Sequence, residues 1–391
     1  MINNKFLVVP NDLKEQYEEA LNSHNEKNMF KFLKKYLKWI EGDDKPYNRL
    51  FLIKNPLKMK NDKVFNKEFN YSIIQFLNQM INNNFSDKRM SKKYKGLAHT
   101  YLGIGYEFGI FNCRKSPIDA FNKYKLAAQI GDPLGTFRLA QCFEKGIGVS
   151  ISQEQALSFY RCAAKLGLTD AVHTYGIIMM YGYCGATKDQ NTGYYYMKIA
   201  AKKADKNCPF PLYDLGMFYE NGTNDCGVNE DYKYAYENFY RGAKLGDPNC
   251  KFKLGQCHEF GDLNVKKDRE KSIKYYKSAA EYGCVEAQYL ISEYYLTGKL
   301  RILKKSYEKS FFWTLRGATK GHSGCAFNCG EYTLTGTGTE KDLLGALFWF
   351  EISNVLGHSD AKEKIDQLQI QIAKKDAGAE IPAACCFCLF G

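Results

Sequence analysis

The stretch Leu102-Gly103-Ile104-Gly105-Tyr106-Glu107-Phe108-Gly109 contains a pattern that returns throughout the chain. In each copy an apolar residue, usually followed by a glycine, precedes an aromatic residue and then a closing glycine. Neighbouring closing glycines lie 36 to 40 residues apart, and they are Gly109, Gly146, Gly182, Gly222, Gly261, Gly298 and Gly336. Seven copies at so regular a period indicate a repeat protein in which each repeat is one supersecondary unit.

A second pattern alternates with the first and carries aromatic residues, two small residues and a final glycine. Residues 127–131 (Ala-Ala-Gln-Ile-Gly) form its first copy, and residues 278–283 form a later one. Apolar residues in both patterns recur at three- and four-residue spacing, which is typical of helices that bury one face. The sequence therefore predicts about seven stacked helix pairs, since no single pair can bury its aromatic face alone.

Glycines also fall inside the predicted first helices, namely Gly103, Gly176, Gly216 and Gly255. A glycine inside a helix costs about 1 kcal/mol relative to alanine. Its recurrence predicts that a neighbouring helix packs directly against the bare backbone. The closing glycines are predicted to end helices in the left-handed conformation, which glycine adopts without strain.

These patterns resemble the Sel-one-like (Sel1-like) repeat, a helix-turn-helix relative of the tetratricopeptide repeat, and residues 215–222 and 278–284 are close copies of it. The resemblance implies an all-α, right-handed α-solenoid over residues 94–358. Residues 1–93 are interpreted as an N-terminal helical region and cap, with helices predicted at 13–21, 29–40 and 71–81. Residues 359–391 are interpreted as a C-terminal helix up to 375, a flexible spacer from 376 to 384 and a cysteine-rich lipidation tail.

The irregularities between repeats are similar to those of the fungal chitin synthase regulator (activator) family. They are an Ala-Asp insert at residues 204–216 and a longer loop at residues 295–309. The resemblance implies a non-catalytic scaffold that activates and localises chitin synthase at the membrane for cell wall or septum synthesis. It implies the chitin synthase catalytic subunit as partner, with cytoskeletal scaffold proteins as further candidates, and no cofactor. The alternative is a general Sel1-like adaptor in signalling or protein quality control.

The sequence ends Cys385-Cys386-Phe387-Cys388-Leu389-Phe390-Gly391, and its last four residues fit the C-a-a-X prenylation box that family members commonly carry. We therefore expect prenylation at Cys388 and palmitoylation at Cys385 and Cys386, since stable attachment needs two lipid signals. This predicts a peripheral protein on the cytoplasmic face of the plasma membrane. Gly391 departs from the usual final residues, so an unmodified tail and a cytoplasmic protein are the alternative.

The net charge of +12 is concentrated near the N-terminus, where residues 1–93 contain 18 Lys and Arg against 11 Asp and Glu. Lysines 31, 34, 35 and 38 are interpreted as a solvated helix face, the alternative being attraction to an acidic membrane or partner. The repeats show no regular basic stripe and no base-reading motif, so no nucleic-acid partner is expected. The 14 cysteines do not repeat in register, which favours reduced buried thiols over a disulfide framework.

The sequence favours no catalytic or metal site. Four glutamates recur at one place before the closing glycine and are interpreted as structural, because an active site needs a unique constellation; they are Glu107, Glu144, Glu220 and Glu259. His322, Cys325 and Cys329 have helical spacing but no evident fourth zinc ligand. Cys257 and His258 point in different directions on one helix. The turn at 336–338 lacks the lysine of a phosphate loop. The protein is not expected to be an enzyme.

Overall fold

The computed structural model of the chain describes residues 19, 27–32, 65–82, 88–298 and 303–379. Regular structure in this part is helical, apart from two isolated β-bridges, Asp205–Cys208 and Thr223–Val228. Contacts within the chain divide it into two compact units, Met1–Ala235 and Tyr236–Gly391. The all-α solenoid fold that the sequence predicts is confirmed.

The first unit is a succession of helices joined by short connections. They are α1 (Phe65–Asn82), α2 (Lys88–Phe108), α3 (Pro117–Ile130), α4 (Pro133–Lys145), α5 (Gln153–Lys165), α6 (Thr169–Tyr181), α7 (Gln190–Lys203), α8 (Pro211–Asn221) and the first residues of α9 (Tyr232–Leu245). The helices of a pair pack together as α2 on α3, α4 on α5 and α6 on α7. Each pair also packs on the next, so the core is continuous along the unit.

The second unit continues in the same way from within α9. Its helices are α10 (Pro248–Phe260), α11 (Arg269–Glu281), α12 (Val285–Thr297), α13 (Tyr307–Ala318), α14 (Ser323–Thr335), α15 (Leu343–Val355) and α16 (Ala361–Ala379). The pairs are α10 with α11, α12 with α13 and α14 with α15, and α16 packs against the last pair. Leu368 of α16 is buried beside Phe350.

Helix boundaries follow the residues that satisfy free backbone groups. At the junction of α3 and α4, Gly131 ends one helix with φ of 90° and the Asp132 carboxylate accepts from Gly135 N at 2.7 Å. Pro133 fills the first turn, where it has no hydrogen bond to lose. Gly131, Asp132 and Pro133 thus terminate one helix and start the next without an intervening loop.

The closing glycines all have positive φ, as the sequence predicts. Left-handed helix ends are formed by Gly146, Gly182, Gly261, Gly298 and Gly336. The prediction is wrong at Gly222, where ψ is 165° and the chain turns into an extended conformation. The reason is local, because the next residue, Thr223, forms a two-residue bridge with Val228 instead of continuing a helical turn.

The glycines inside first helices make the close contacts that their recurrence predicts. A Cβ at Gly103 would lie 2.5 Å from the ring of Tyr124, and a Cβ at Gly255 would lie 2.5 Å from the ring of Tyr276. At Gly176 the close neighbours are Met197 and the backbone of Gly193. The second helix of each of these pairs therefore rests directly on the backbone of the first.

The N-terminal helices cover the end of the first repeat. Ile73 and Leu77 of α1 are buried in one cluster with Tyr94 and Ala98 of α2. From the short helical stretch 27–32, the ring of Phe30 stacks on Tyr94 with centroids 5.3 Å apart. Because α2 begins at Lys88, the boundary expected at residue 94 falls inside a helix. The helix expected at 13–21, apart from residue 19, and residues 33–40 lie outside the described residues.

The C-terminal helix is longer than the sequence analysis suggests. The spacer was expected to begin at residue 376, but α16 continues to Ala379, so that part of the expectation is wrong. Residues 376–379 are Asp-Ala-Gly-Ala, and no proline interrupts the helix there. The lipidation residues Cys385, Cys386 and Cys388 lie outside the described residues.

Candidate interaction surface

The recurring glutamates are bonded inside their own helix pairs. The Tyr124 hydroxyl donates to Glu107 at 2.6 Å. In the next pair Tyr160 donates to Glu144 at 2.6 Å, and in the second unit Tyr276 donates to Glu259 at 2.8 Å. All three tyrosines are fully buried. Burial first, and then the adjacent carboxylate, raise the pKa of each tyrosine well above its usual value of 10.

These pairs give the carboxylates a structural task. A buried hydroxyl without a partner costs about 1–3 kcal/mol, and the glutamate supplies that partner. Glu259 also accepts from Tyr294, a residue of the following repeat, at 2.8 Å. Glu220 lies in α8, and Phe239 of α9 stands in the fourth repeat where Tyr124, Tyr160 and Tyr276 stand in theirs. Each of these three glutamates thus lies in a different helix pair and accepts a hydrogen bond from the tyrosine of that pair.

The remaining candidate site residues also have structural environments. The ring Nδ1 of His322 accepts from Cys325 N at 3.0 Å and caps α14. Cys325 and Cys329 are buried, and burial raises the pKa of Cys325 to about 12. Across the described residues, no group of three or more His, Cys, Asp or Glu side chains has a metal-binding arrangement.

The other pairings considered on sequence grounds do not form sites in the structure. Cys257 is fully buried, whereas the ring of the adjacent His258 stacks on Tyr275 with centroids 5.6 Å apart. Residues 336–338 form a turn in which Gly338 comes very close to the backbone of Tyr307. The eleven cysteines in the described part of the chain are all free thiols.

Aromatic rings line an open pocket where the first two helix pairs meet, with Phe143 buried and Phe121 and Phe159 partly exposed. In the first unit, Phe143 of α4 lies 5.4 Å from Phe121 of α3 and 5.6 Å from Phe159 of α5, measured between ring centroids. Together with Lys125 and Leu139 these rings line an open pocket of about 430 Å³. An open apolar pocket with a charged rim is the kind of surface that holds a side chain of a partner.

The second unit contains aromatic groups of similar construction. His258 of α10 stacks on Tyr275 of α11 and lies edge-on to Tyr236 of α9, with centroids 6.4 Å apart. Further along, Phe312 and Phe348 are half exposed. The neighbours of these residues in sequence, such as Phe350, complete the core. In α15, Phe350 thus belongs to the core while Phe348 is presented to solvent.

Basic residues are more numerous in the second helices than in the first helices from α4 onward, whereas the first helix of the first pair, α2, is itself basic. The seven second helices together contain sixteen Lys and Arg residues against seven Asp and Glu. The six first helices from α4 to α14 contain four against eight. The difference does not hold in every helix, since α4 and α10 contain more basic than acidic residues and α15 contains no Lys or Arg. The basic bias of the second helices is therefore a sum over the repeats and not a stripe that recurs in each of them.

The described residues include no helix that is long and apolar enough to cross a bilayer.

Comparison with known proteins places the repeats. The Sel1 repeat family matches seven segments, residues 96–132, 133–168, 170–205, 212–247, 248–284, 285–322 and 323–357. Two solved structures have similar folds. A Sel1 repeat protein from Oxalobacter formigenes is 23% identical with a TM-score of 0.55, covering 76% of this chain and 86% of its own. A protective antigen of uropathogenic Escherichia coli is 21% identical with a TM-score of 0.52, covering 80% and 70%.

Curated relatives share the sequence over a similar range. Chitin synthase regulatory factor 3 of Schizosaccharomyces pombe is 26% identical over 266 residues, which are 68% of this chain and 28% of the relative. Chitin synthase regulator SKT5 of Saccharomyces cerevisiae is 29% identical over 285 residues, or 72% and 40%. The chain thus spans less than half the length of these relatives. With family matches over more than half of its residues, the chain belongs to the Sel1 repeat family.

Proposed function

We propose that this protein is a non-catalytic regulator of chitin synthase that acts by binding the synthase. The observation that carries the proposal is the similarity to proteins named chitin synthase regulators over 68% to 72% of this chain. The geometry is compatible with a binding role, because the recurring carboxylates are used inside the helix pairs while aromatic and basic side chains remain on the surface.

The mechanism that we propose is recruitment followed by activation. The aromatic grooves hold a cytosolic segment of the synthase, and a lipid on the C-terminal tail confines the complex to the cytoplasmic face of the plasma membrane. Confinement raises the effective concentration of one partner for the other without any new contact. Cytoskeletal scaffold proteins at wall or septum sites are further proposed partners, since a stack of helix pairs offers more than one binding surface.

Affinity purification of the tagged full chain from its native cell tests the partner. The expected result is co-purification of a chitin synthase catalytic subunit above the level seen with an unrelated tagged Sel1 repeat protein. Repeated absence of the synthase, together with recovery of quality-control or signalling proteins, would overturn the proposal in favour of the general adaptor. The Sel1 repeat alone supports that second candidate, since the same fold serves many pathways.

The proposed anchor predicts a change in distribution when its acceptor is removed. Cys388→Ser should move the protein from the membrane fraction to the supernatant, because a palmitoyl or prenyl chain alone gives marginal binding. The matched control is Cys162→Ser, which removes an exposed thiol within the repeats. Fractionation of cell lysate followed by immunoblotting measures the ratio. An unchanged ratio for Cys388→Ser would contradict the anchor while leaving the proposed partner intact.

A further inference from the structure

Tyr295, in the last turn of α12, lies where side chains from two other helices converge. Its ring is mostly buried, with 8% of the residue exposed. The Nζ atom of Lys277 from α11 lies 5.9 Å from the ring centroid, and that of Lys309 from α13 lies 5.5 Å away. Trp313 of α13 is half buried and packs against the same core cluster. One recessed aromatic ring is thus flanked by cations on both neighbouring second helices.

A third cation extends this arrangement along α13. The guanidinium carbon of Arg316 lies 5.5 Å from the centroid of the Trp313 ring and 5.6 Å from that of Phe312, which is 50% exposed. We call Lys277, Tyr295, Lys309, Trp313 and Arg316 the Tyr295 cluster. Ring faces attract cations, so the aromatic side chains help to hold these three charges in place.

The charges of the Tyr295 cluster are not neutralised by acidic neighbours. Among the described residues, no carboxylate forms an ion pair with Lys277, Lys309 or Arg316. The Tyr295 hydroxyl likewise makes no hydrogen bond to another described residue. The cluster therefore offers three unneutralised cations and a free phenolic group around a partly exposed aromatic surface. Such a set is complementary to carboxylates placed on either side of an apolar side chain.

We propose that the Tyr295 cluster binds an acidic peptide segment that carries an apolar anchor residue. The anchor packs on Trp313 and Phe312, and Asp or Glu residues beside it meet Lys277, Lys309 and Arg316. The buried ring favours a peptide over a bilayer, because Tyr295 is only 8% exposed and a side chain can approach it where a flat membrane surface cannot. The inference names the kind of segment that is bound, and it holds whichever protein carries that segment.

Selection from a displayed library of random twelve-residue peptides tests this inference on the full chain. The selected peptides are then labelled with fluorescein and titrated by fluorescence polarisation. We expect an enriched motif with two or more acidic residues next to an aromatic or aliphatic one. The selected peptide should bind the unaltered chain more tightly at low salt than at high salt. The double variant Lys277→Glu with Lys309→Glu should weaken this binding about tenfold or more. Trp313→Ala should weaken it to a similar extent.

The matched control is Lys362→Glu in α16, which makes the same kind of charge change at an exposed residue outside the cluster. It should change the affinity less than about twofold, and the far-UV circular dichroism of all variants should match that of the unaltered chain. The inference is overturned if no acidic motif is enriched, or if Lys362→Glu weakens binding as much as the cluster variants. It is also overturned if phosphatidylserine vesicles bind the chain through Lys277 and Lys309 while the selected peptides do not.

Discussion

The fifth and seventh repeats have different residues at the same place, where the two helices of the pair make their closest contact. In residues 248–284, the ring of Tyr276 lies on Gly255 and its hydroxyl donates to Glu259. In residues 323–357, the ring of Phe350 lies on Gly330 in the same way, and Phe350 carries no hydroxyl. Leu334 stands where the glutamate would be, and it packs against the buried Phe350.

Comparing the two repeats shows which residues the close contact between paired helices requires and which it allows to vary. Close approach of the second helix requires a glycine in both repeats. Tyrosine and glutamate occur together in three repeats and are both replaced in the seventh, whereas the fourth has Glu220 with Phe239. The hydrogen bond is therefore not a requirement of every helix pair. The bonded carboxylates are half-buried at Glu107 and Glu259 and exposed at Glu144, and each accepts from the buried tyrosine of its own helix pair.

The largest effect is expected where both repeats agree. Gly255→Leu and Gly330→Leu should each lower the free energy of unfolding by about 3 kcal/mol or more, because even a Cβ would clash with the aromatic ring. Urea denaturation followed by circular dichroism measures the loss. Tolerance of leucine at either position would show that the helices do not pack as closely as described.

Exchanging the aromatic residues should have a moderate effect. Phe350→Tyr should cost about 1–3 kcal/mol, because the new hydroxyl would enter an apolar cluster in which Leu334 replaces the glutamate. Tyr276→Phe should cost about 1 kcal/mol, because Glu259 loses one donor but keeps Tyr294.

The matched control restores the missing acceptor. Leu334→Glu combined with Phe350→Tyr should be less destabilising than the sum of the two single changes, as a double-mutant cycle in urea would measure. If the losses of stability from the two single changes simply add, a hydrogen bond between tyrosine and glutamate does not stabilise the contact between the paired helices.

The last effect concerns pH and a buried polar residue of the first repeat. Burial, with a smaller contribution from Lys123, lowers the pKa of His99 to about 4. The unfolded chain then binds the proton more tightly, so this group destabilises the fold as pH falls from about 6.5 to about 4. The corresponding place in the seventh repeat holds Ala326, which does not titrate.

His99→Gln should therefore reduce the loss of stability between pH 7 and pH 4.5 that the unaltered chain shows. Urea midpoints at the two pH values provide the measurement, and Ala326→Gln serves as a control with no expected change in pH dependence. An identical pH dependence with and without His99 would contradict the assigned shift.

The sequence predicts the repeat period and the glycine contacts because both are local features. Gly103 inside a helix and Gly109 at its end can be recognised from spacing alone. The bond between Tyr124 and Glu107 is harder to foresee, since it joins two helices across the turn. Its signal was present, because tyrosine and glutamate occur together in the first, second and fifth repeats.

The exposed side chains and their neighbours could not be predicted from the spacing of residues in the sequence. Tyr295 is flanked by Lys277 and Lys309 from different repeats, and their proximity depends on how α11, α12 and α13 pack. Phe312 and Trp313 are adjacent in sequence, yet only the packing of α13 decides which of them is more exposed. Exposure of this kind is a property of the stacked repeats and not of the periodic pattern.

The central claim is that the protein regulates chitin synthase by binding and without catalysis. The most direct test measures the amount of wall chitin in cells that lack this protein. The cells are supplied with the unaltered chain or with Glu107→Gln, Glu144→Gln or Glu259→Gln, one at a time, and protein levels are matched by immunoblot. The account predicts that the unaltered chain restores wall chitin and that each folded variant restores it to the same extent. Failure of the unaltered chain, or of a folded variant present at an equal level, would contradict it.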